Sequence, residues 1–113
     1  MSNRIKRVNQ LLKRQLGRII LKEVSFPRGC LATITKVETS TDLGEAKVLV
    51  SVFPEKKSKE ALRVLNKRIY HLQQRINKIL NLKRVPKIRF LLDRKIKQAA
   101  RIEELLEKIE KEG

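Results

Sequence analysis

The sequence has few aromatic residues, one cysteine and no long apolar run. Aromatic residues make up 4% of its 113 residues and tryptophan is absent, so a core must be built from Leu, Ile and Val. The single cysteine, Cys30, excludes an intramolecular disulfide and fits a reducing cytoplasm. No stretch approaches about 18 uncharged apolar residues, which argues against a membrane span. The N-terminal residues also lack the apolar centre of a secretory signal.

Side chains suited to catalysis are equally scarce. The only histidine, His71, falls on the polar face of a predicted helix with no carboxylate one turn away, so we expect a solvated or phosphate-facing side chain rather than a general base. Cys30 opens a predicted strand and is expected to pack rather than to act as a nucleophile. Asp42 lies in a turn and is expected to bond the loop backbone. No metal-ligand cluster or phosphate-binding glycine loop is present, so an enzyme is the least supported class and no cofactor is predicted.

Positive charge is what the sequence has in excess. Lys and Arg number 28 against 12 Asp and Glu, which gives a formal net charge of +16. A small domain with this charge has a positive potential over much of its surface, and nucleic-acid phosphate is the expected partner. Two other classes stay open. A general nucleic-acid binder, such as a nucleoid-associated protein, would bind DNA, and a peripheral membrane protein would need an amphipathic helix free to leave the core.

The hydrophobic periodicity predicts one α+β domain over residues 1–113. Apolar residues three and four positions apart indicate helices. Segments in which apolar and polar residues alternate, bounded by Pro or Gly, indicate strands. The predicted elements are a helix over 3–23, strands over 30–39 and 45–53, a long helix from about 57 to 82, a strand over 87–92 and a helix over 97–111. This α-β-β-α-β-α order, with an antiparallel hairpin in its first half, predicts a three-stranded mixed sheet with helices packed on one face.

Cations occupy the polar faces of the two long helices. In the first helix they are Arg4, Arg7, Lys13, Arg14, Arg18 and Lys22. In the long helix they are Lys59, Arg63, Lys67, Arg75 and Lys78, and Lys83, Arg84, Lys87 and Arg89 extend the positive surface beyond its end. Because almost no acidic residue lies between Lys67 and Arg89, the cations of the long helix are not expected to be ion-paired. They are expected to form a continuous row of hydrogen-bond donors to a phosphate backbone. Its near-heptad leucines and isoleucines also permit a dimer seam, but core packing in a monomer is favoured because the pattern is under three heptads long.

Several stretches of the sequence resemble ribosome-binding factor A, a family of small-subunit assembly factors. They are Pro27-Arg28, residues 33–43, residues 46–52, Leu65-Asn66-Lys67, Val85-Pro86, Phe90 and residues 101–106, in the order and spacing of that family. The resemblance implies a KH-like fold of the second type without the usual Gly-x-x-Gly clamp, which this sequence also lacks. The family carries an Ala-x-Gly interruption that kinks its long helix. Arg68-Ile69-Tyr70 occupies those positions here, and the apolar pattern runs through them without a phase break.

Membership would imply a non-catalytic role in ribosome biogenesis. The expected partner is the immature small ribosomal subunit with its precursor RNA, whose processing the protein assists in the bacterial cytoplasm, above all in the cold. An assembly GTPase is a candidate for driving release. From the same resemblance, Arg68 and Tyr70 join the predicted RNA-binding residues as hydrogen-bond donor and stacking platform.

Overall fold

The computed structural model describes residues 3–93, and within that range the predicted order of elements is confirmed. The elements are α1 (Asn3–Glu23), β1 (Leu31–Thr39), β2 (Glu45–Phe53), a short 3-10 helix (Glu55–Lys57), α2 (Ser58–Lys67), α3 (Ile69–Ile79) and β3 (Lys87–Leu92). The helix predicted over 97–111 lies outside the described residues. None of the described helices is long and apolar enough to cross a bilayer.

The three strands form a mixed sheet in the order β1-β2-β3, as predicted. β1 and β2 pair antiparallel, with a register shift between Ile34 and Lys36, and β3 pairs parallel to β2. In the hairpin loop the Asp42 carboxylate accepts hydrogen bonds from the Ser40 hydroxyl at 2.7 Å and the Gly44 amide at 2.9 Å, as expected of a turn aspartate. These two bonds lower the pKa of Asp42.

All described helices pack on one face of this sheet. α1 lies against β1 and α3, whereas α2 lies against β2 and β3. Alternation along β2 turns Ala46, Val48 and Val50 into the core and leaves Lys47 exposed on the opposite face. On the helices Leu12, Leu16, Leu65, Leu72 and Ile76 are fully buried. Each such side chain contributes roughly 1.5–3 kcal/mol relative to exposure.

The long helix predicted from about 57 to 82, whose continuity at Arg68-Ile69-Tyr70 the sequence left open, is divided into α2 and α3. The chain breaks at Arg68, whose φ of −98° and ψ of 2° lie outside the α-helical region. Its amide is shared between the Val64 carbonyl at 3.3 Å and the Leu65 carbonyl at 3.1 Å, as is common at a helix end, and the Leu72 amide donates to the Arg68 carbonyl at 2.9 Å as α3 begins. The second half also ends early, at Ile79, because Leu80 is extended with φ −83° and ψ 111°.

The break lets two halves of one apolar pattern contact different partners. Leu65 of α2 packs over the sheet, while Leu72 of α3 is buried where α3 meets α1 and β3. Leu65, the partly buried Ile69 and Leu72 are separated by four and three residues, which is the spacing of an uninterrupted amphipathic helix. The pattern of apolar residues therefore does not reveal the bend. The small residues of the family's interruption are not needed for it, since Arg68 adopts a backbone conformation that any non-glycine residue reaches.

Candidate nucleic-acid interface

The outward face of α2 carries three of the predicted RNA-binding cations. Lys59, Arg63 and Lys67 recur every four residues, about 6 Å apart along the axis, opposite the buried Ala61 and Leu65. All three are exposed, and none of them is ion-paired within residues 3–93. Positive side chains spaced in this way can follow a phosphate backbone. This set of three is called the α2 row below.

The turn and α3 do not continue that row as the sequence predicted. Tyr70 follows the turn with 75% of its surface exposed, so its ring face is available for stacking. Lys78 is exposed in the last turn of α3. The Arg68 guanidinium, in contrast, donates to the backbone carbonyl of Glu23 at 3.3 Å. Because α2 and α3 have different neighbours, the expected single line of donors from Lys59 to Lys78 is divided at Arg68.

Glu23, the last residue of α1, neutralises part of the α3 face. Its carboxylate accepts a hydrogen bond from Arg75 Nε at 3.0 Å and lies 2.9 Å from His71 Nε2. The contact with His71 and then that with Arg75 lower the pKa of Glu23. His71 is exposed, as expected, but its contact with a carboxylate and the ion pair of Arg75 were not predicted, because the carboxylate comes from another helix rather than from the next turn.

A second group of predicted cations lies at the far end of the sheet. Lys83 and Arg84 are exposed in the segment between α3 and β3, and Lys87 opens β3. The Lys87 amide donates to the Gly44 carbonyl at 3.0 Å, which places this group beside the hairpin loop. The charge of Arg84 also helps lower the pKa of Asp42 in that loop. The ten predicted residues are thus all exposed, but they form separate groups rather than one surface.

Two structurally important residues escaped the sequence analysis. Glu23 carried no signal, because its partners are 48 and 52 residues away in the chain. Gln73 lies on α3, where its side-chain oxygen accepts from the Ile88 amide at 2.9 Å and its nitrogen donates to the Pro86 carbonyl at 3.2 Å. A glutamine inside an otherwise cationic face was the only hint of a structural role.

No catalytic or metal-binding arrangement accompanies these cations in the described residues. Residues 3–93 contain no group of three histidine, cysteine or acidic side chains placed to hold a metal ion. Every buried side-chain nitrogen and oxygen in that range has a hydrogen-bond partner. The arrangement offers exposed positive charge and the exposed ring of Tyr70, which suit the binding of a polyanion.

Comparison with known proteins identifies the family. A family model described as ribosome-binding factor A matches residues 4–106. The chain belongs to the ribosome-binding factor A family. The ribosome-binding factor A of Halothermothrix orenii is 39% identical over 110 residues, covering 96% of this chain and 90% of the relative. That of Brevibacillus brevis is 37% identical, with 97% and 92% covered.

Solved structures of ribosome-binding factor A share the fold. The crystal structure of the Thermus thermophilus protein matches with a TM-score of 0.67 at 28% identity, covering 78% of this chain and 93% of that chain. A second neighbour is a homology model of the Thermus thermophilus protein fitted into a cryo-electron-microscopy map of its complex with the 30S subunit. It matches with a TM-score of 0.55 at 29% identity and covers 74% of this chain and 92% of that one. The predicted resemblance and the predicted α+β fold with a mixed sheet are both confirmed.

Proposed function

We propose that this member of the ribosome-binding factor A family binds the immature small ribosomal subunit and assists maturation of its RNA. In this proposal the protein acts as a cytoplasmic monomer without catalysis, and an assembly GTPase remains a candidate for its release. The observation that carries the proposal is the exposed α2 row, which has no ion pair within residues 3–93, followed along the chain by the exposed ring of Tyr70. The 30S complex of the Thermus thermophilus relative supports the choice of a ribosomal partner.

The proposed mechanism is selection between RNA arrangements. Cations at fixed spacing on a rigid helix favour the RNA arrangement whose phosphates match that spacing, and they shift its population by their differential affinity. The division of the row at Arg68 gives α2 and α3 different directions, so a bent RNA backbone fits better than a straight one. Affinity then falls once the mature arrangement forms, which allows departure.

Co-sedimentation with precursor and mature small subunits over a salt series, with DNA as competitor, tests this proposal. The test variant carries Lys59→Gln, Arg63→Gln and Lys67→Gln. The matched control carries Lys36→Gln, Lys47→Gln and Arg89→Gln, which removes the same number of positive charges from exposed strand positions outside the ten predicted RNA-binding residues. Two of these cations, Lys36 and Arg89, are paired with Glu38 and Glu45. We expect the wild type and the control to retain a preference for precursor subunits. The test variant should lose it and show a salt slope smaller by about two to three.

Two outcomes would contradict the proposal. Equal binding of the wild type to DNA, precursor and mature subunits, all lost together as salt rises, would indicate a general nucleic-acid binder. Equal losses in the test variant and the control would mean that overall charge, and not the α2 row, determines binding to the subunit.

A further inference from the structure

The first helix carries a second and longer set of cations, separate from the α2 row. Arg4, Arg7, Arg14, Arg18 and Lys22 are all exposed on α1, which spans 21 residues. At 3.6 residues per turn they fall within a sector of about 80°, opposite the buried stripe that begins at Val8. From first to last they extend about 27 Å along the axis. These five residues are called the α1 stripe.

The α1 stripe lacks the counter-charges found on α3. The first acidic residue of α1 is Glu23, which is already bonded to His71 and Arg75. Within the described part of the chain no cation of the stripe forms an ion pair. Like charges one turn apart, as at Arg14, Arg18 and Lys22, destabilise an isolated helix. A polyanion bound along the stripe would relieve this repulsion.

An apolar groove runs beside the stripe. It lies between α1 and β1, with a volume of about 700 Å³, and its walls include Ile20, Val24 and Phe26. The charged residues that line it are Lys13 and Arg14, both cationic. Among the described strands β1 pairs only with β2, and its residues 31–34 line the groove along the edge that no described strand covers.

We propose that α1 and the open edge of β1 form a second RNA-binding surface, which holds a single-stranded segment. Phosphates would lie on the α1 stripe, and bases would enter the apolar groove, where Phe26 supplies a ring. The positive charge of the α1 stripe favours a polyanion as the ligand. The apolar groove beside it favours a single strand, because the bases of a single strand are free to enter the groove whereas those of a duplex stay stacked and paired. Binding through phosphate contacts and base stacking depends little on the base sequence of the RNA.

This inference rests on the proposed function in taking RNA as the partner, but it concerns a different surface. α1 packs against β1 and α3, whereas the α2 row lies on a helix packed against β2 and β3. Two separate surfaces would allow one molecule to hold two RNA segments at once. A factor that does so stabilises their relative placement, which a single row of cations does not.

Gly17 provides a way to block the groove without changing charge. It lines the groove from α1, and a Cβ atom added there meets nothing within 4 Å. Gly17→Leu would therefore fill the space, and it also replaces a helix-interior glycine by a strong helix former, so the variant should fold at least as well. The charge variant carries Arg7→Gln, Arg14→Gln and Arg18→Gln, with glutamine chosen because its helix propensity is close to that of arginine.

The experiment measures affinity of the full chain for fluorescent oligouridine and for an RNA duplex at one salt concentration. We expect the charge variant to bind oligouridine weaker by on the order of tenfold than the matched control with Lys36→Gln, Lys47→Gln and Arg89→Gln. Gly17→Leu should weaken oligouridine binding and leave duplex binding unchanged. Circular dichroism melts establish that each variant is folded.

Three results would overturn the inference. The first is a charge variant that binds oligouridine as its matched control does, and the second is a Gly17→Leu variant that binds it like the wild type. The third is a charge variant or a Gly17→Leu variant that binds both RNA probes normally but is retained less on precursor subunits. That result would indicate that the surface binds a protein partner. The variant of the α2 row serves as the separate test of the proposed function. If it leaves subunit binding intact while the α1 charge variant loses oligouridine, the proposed function fails at its site and the second surface stands.

Discussion

Glu23 joins three side chains that are distant from it in sequence. Its carboxylate contacts His71 and Arg75, and its backbone carbonyl accepts from Arg68. The cluster fastens the end of α1 to the turn before α3 and to the first half of α3. Its side chains are solvent-accessible, so each contact contributes little alone, and the value of the cluster lies in holding the bend in place.

Stability from this cluster should depend on pH in a defined direction. The bonds from His71 and Arg75 lower the pKa of Glu23 below its ordinary value of 4.5, so folding favours the carboxylate. The contribution is fully present above the unfolded-state pKa and is lost as pH falls through the lowered folded-state pKa. Glu23→Gln should therefore reduce the melting temperature at neutral pH and have a smaller effect in acid, as the pH falls below the ordinary value of 4.5.

Glu60→Gln is the matched control for that measurement. Glu60 is exposed on α2 and has no ion pair within residues 3–93. Its replacement should leave the melting temperature nearly unchanged at both pH values. A Glu23→Gln effect of the same size in acid and at neutral pH would show that the cluster is not held by the ionised carboxylate.

At the scale of elements, a single side chain from α3 accepts a backbone hydrogen bond from the outer edge of β3. β3 pairs with β2 along one edge, and on its other edge the Ile88 amide donates to the Gln73 oxygen at 2.9 Å. The Gln73 nitrogen donates to the Pro86 carbonyl and to the Asn77 side chain, which orients the amide. Gln73 thus satisfies the strand edge that a further strand would otherwise occupy.

Gln73→Ala should therefore destabilise the fold by about 1–3 kcal/mol, because it leaves a part-buried amide without an acceptor. Gln74→Ala is the control, since Gln74 is the exposed neighbour on the same helix and should change stability by no more than about 0.5 kcal/mol. Denaturant midpoints at constant m-value give both numbers. Similar small losses in the two variants would mean that water replaces the Gln73 oxygen at no cost.

The break at Arg68 is the element-scale feature that matters most for binding. It sends α2 across the sheet and α3 alongside α1, so cations predicted to form one row belong to two helices with different neighbours. Among residues 3–93 the α2 row has no ion-pair partner, whereas Arg75 is paired with Glu23. The number of phosphates that one straight RNA strand can contact on this side is smaller than the sequence suggested.

For the whole molecule, positive charge has opposite effects on folding and on RNA binding. With a formal net charge of +16, repulsion within the compact state outweighs the few exposed ion pairs of the described residues. Added salt screens this repulsion over a distance that falls from about 30 Å at 0.01 M to about 8 Å at 0.15 M. The same screening weakens contacts with phosphates.

Raising salt over that interval should therefore raise the melting temperature while it lowers the affinity for RNA. Differential scanning calorimetry in parallel with binding measurements checks both signs on one preparation. The variant with Lys36→Gln, Lys47→Gln and Arg89→Gln carries less charge and should show a smaller rise in melting temperature. A melting temperature that falls with salt would mean that attractive pairs outweigh repulsion in the folded state.

The amino-acid sequence by itself determined α1, the three strands, the sign of the charge and the family. Periods of two and of three to four residues reflect which side of a backbone is buried, so the bounds of α1 and of the three strands followed from alternation and from the flanking Pro and Gly residues. The candidate cations were also correctly placed at the surface, because a charged side chain is costly to bury without a partner.

Only the tertiary structure decided the bend at Arg68, the partner of Arg75 and the groove beside α1. The hydrophobic phase is unchanged through Arg68, and it records which face is buried but not where the helix axis points. The pairing of Glu23 with Arg75 spans 52 residues and exists only because α1 and α3 pack side by side. A groove between a helix and a strand edge likewise has no local signal, since its two walls are defined by how the elements meet.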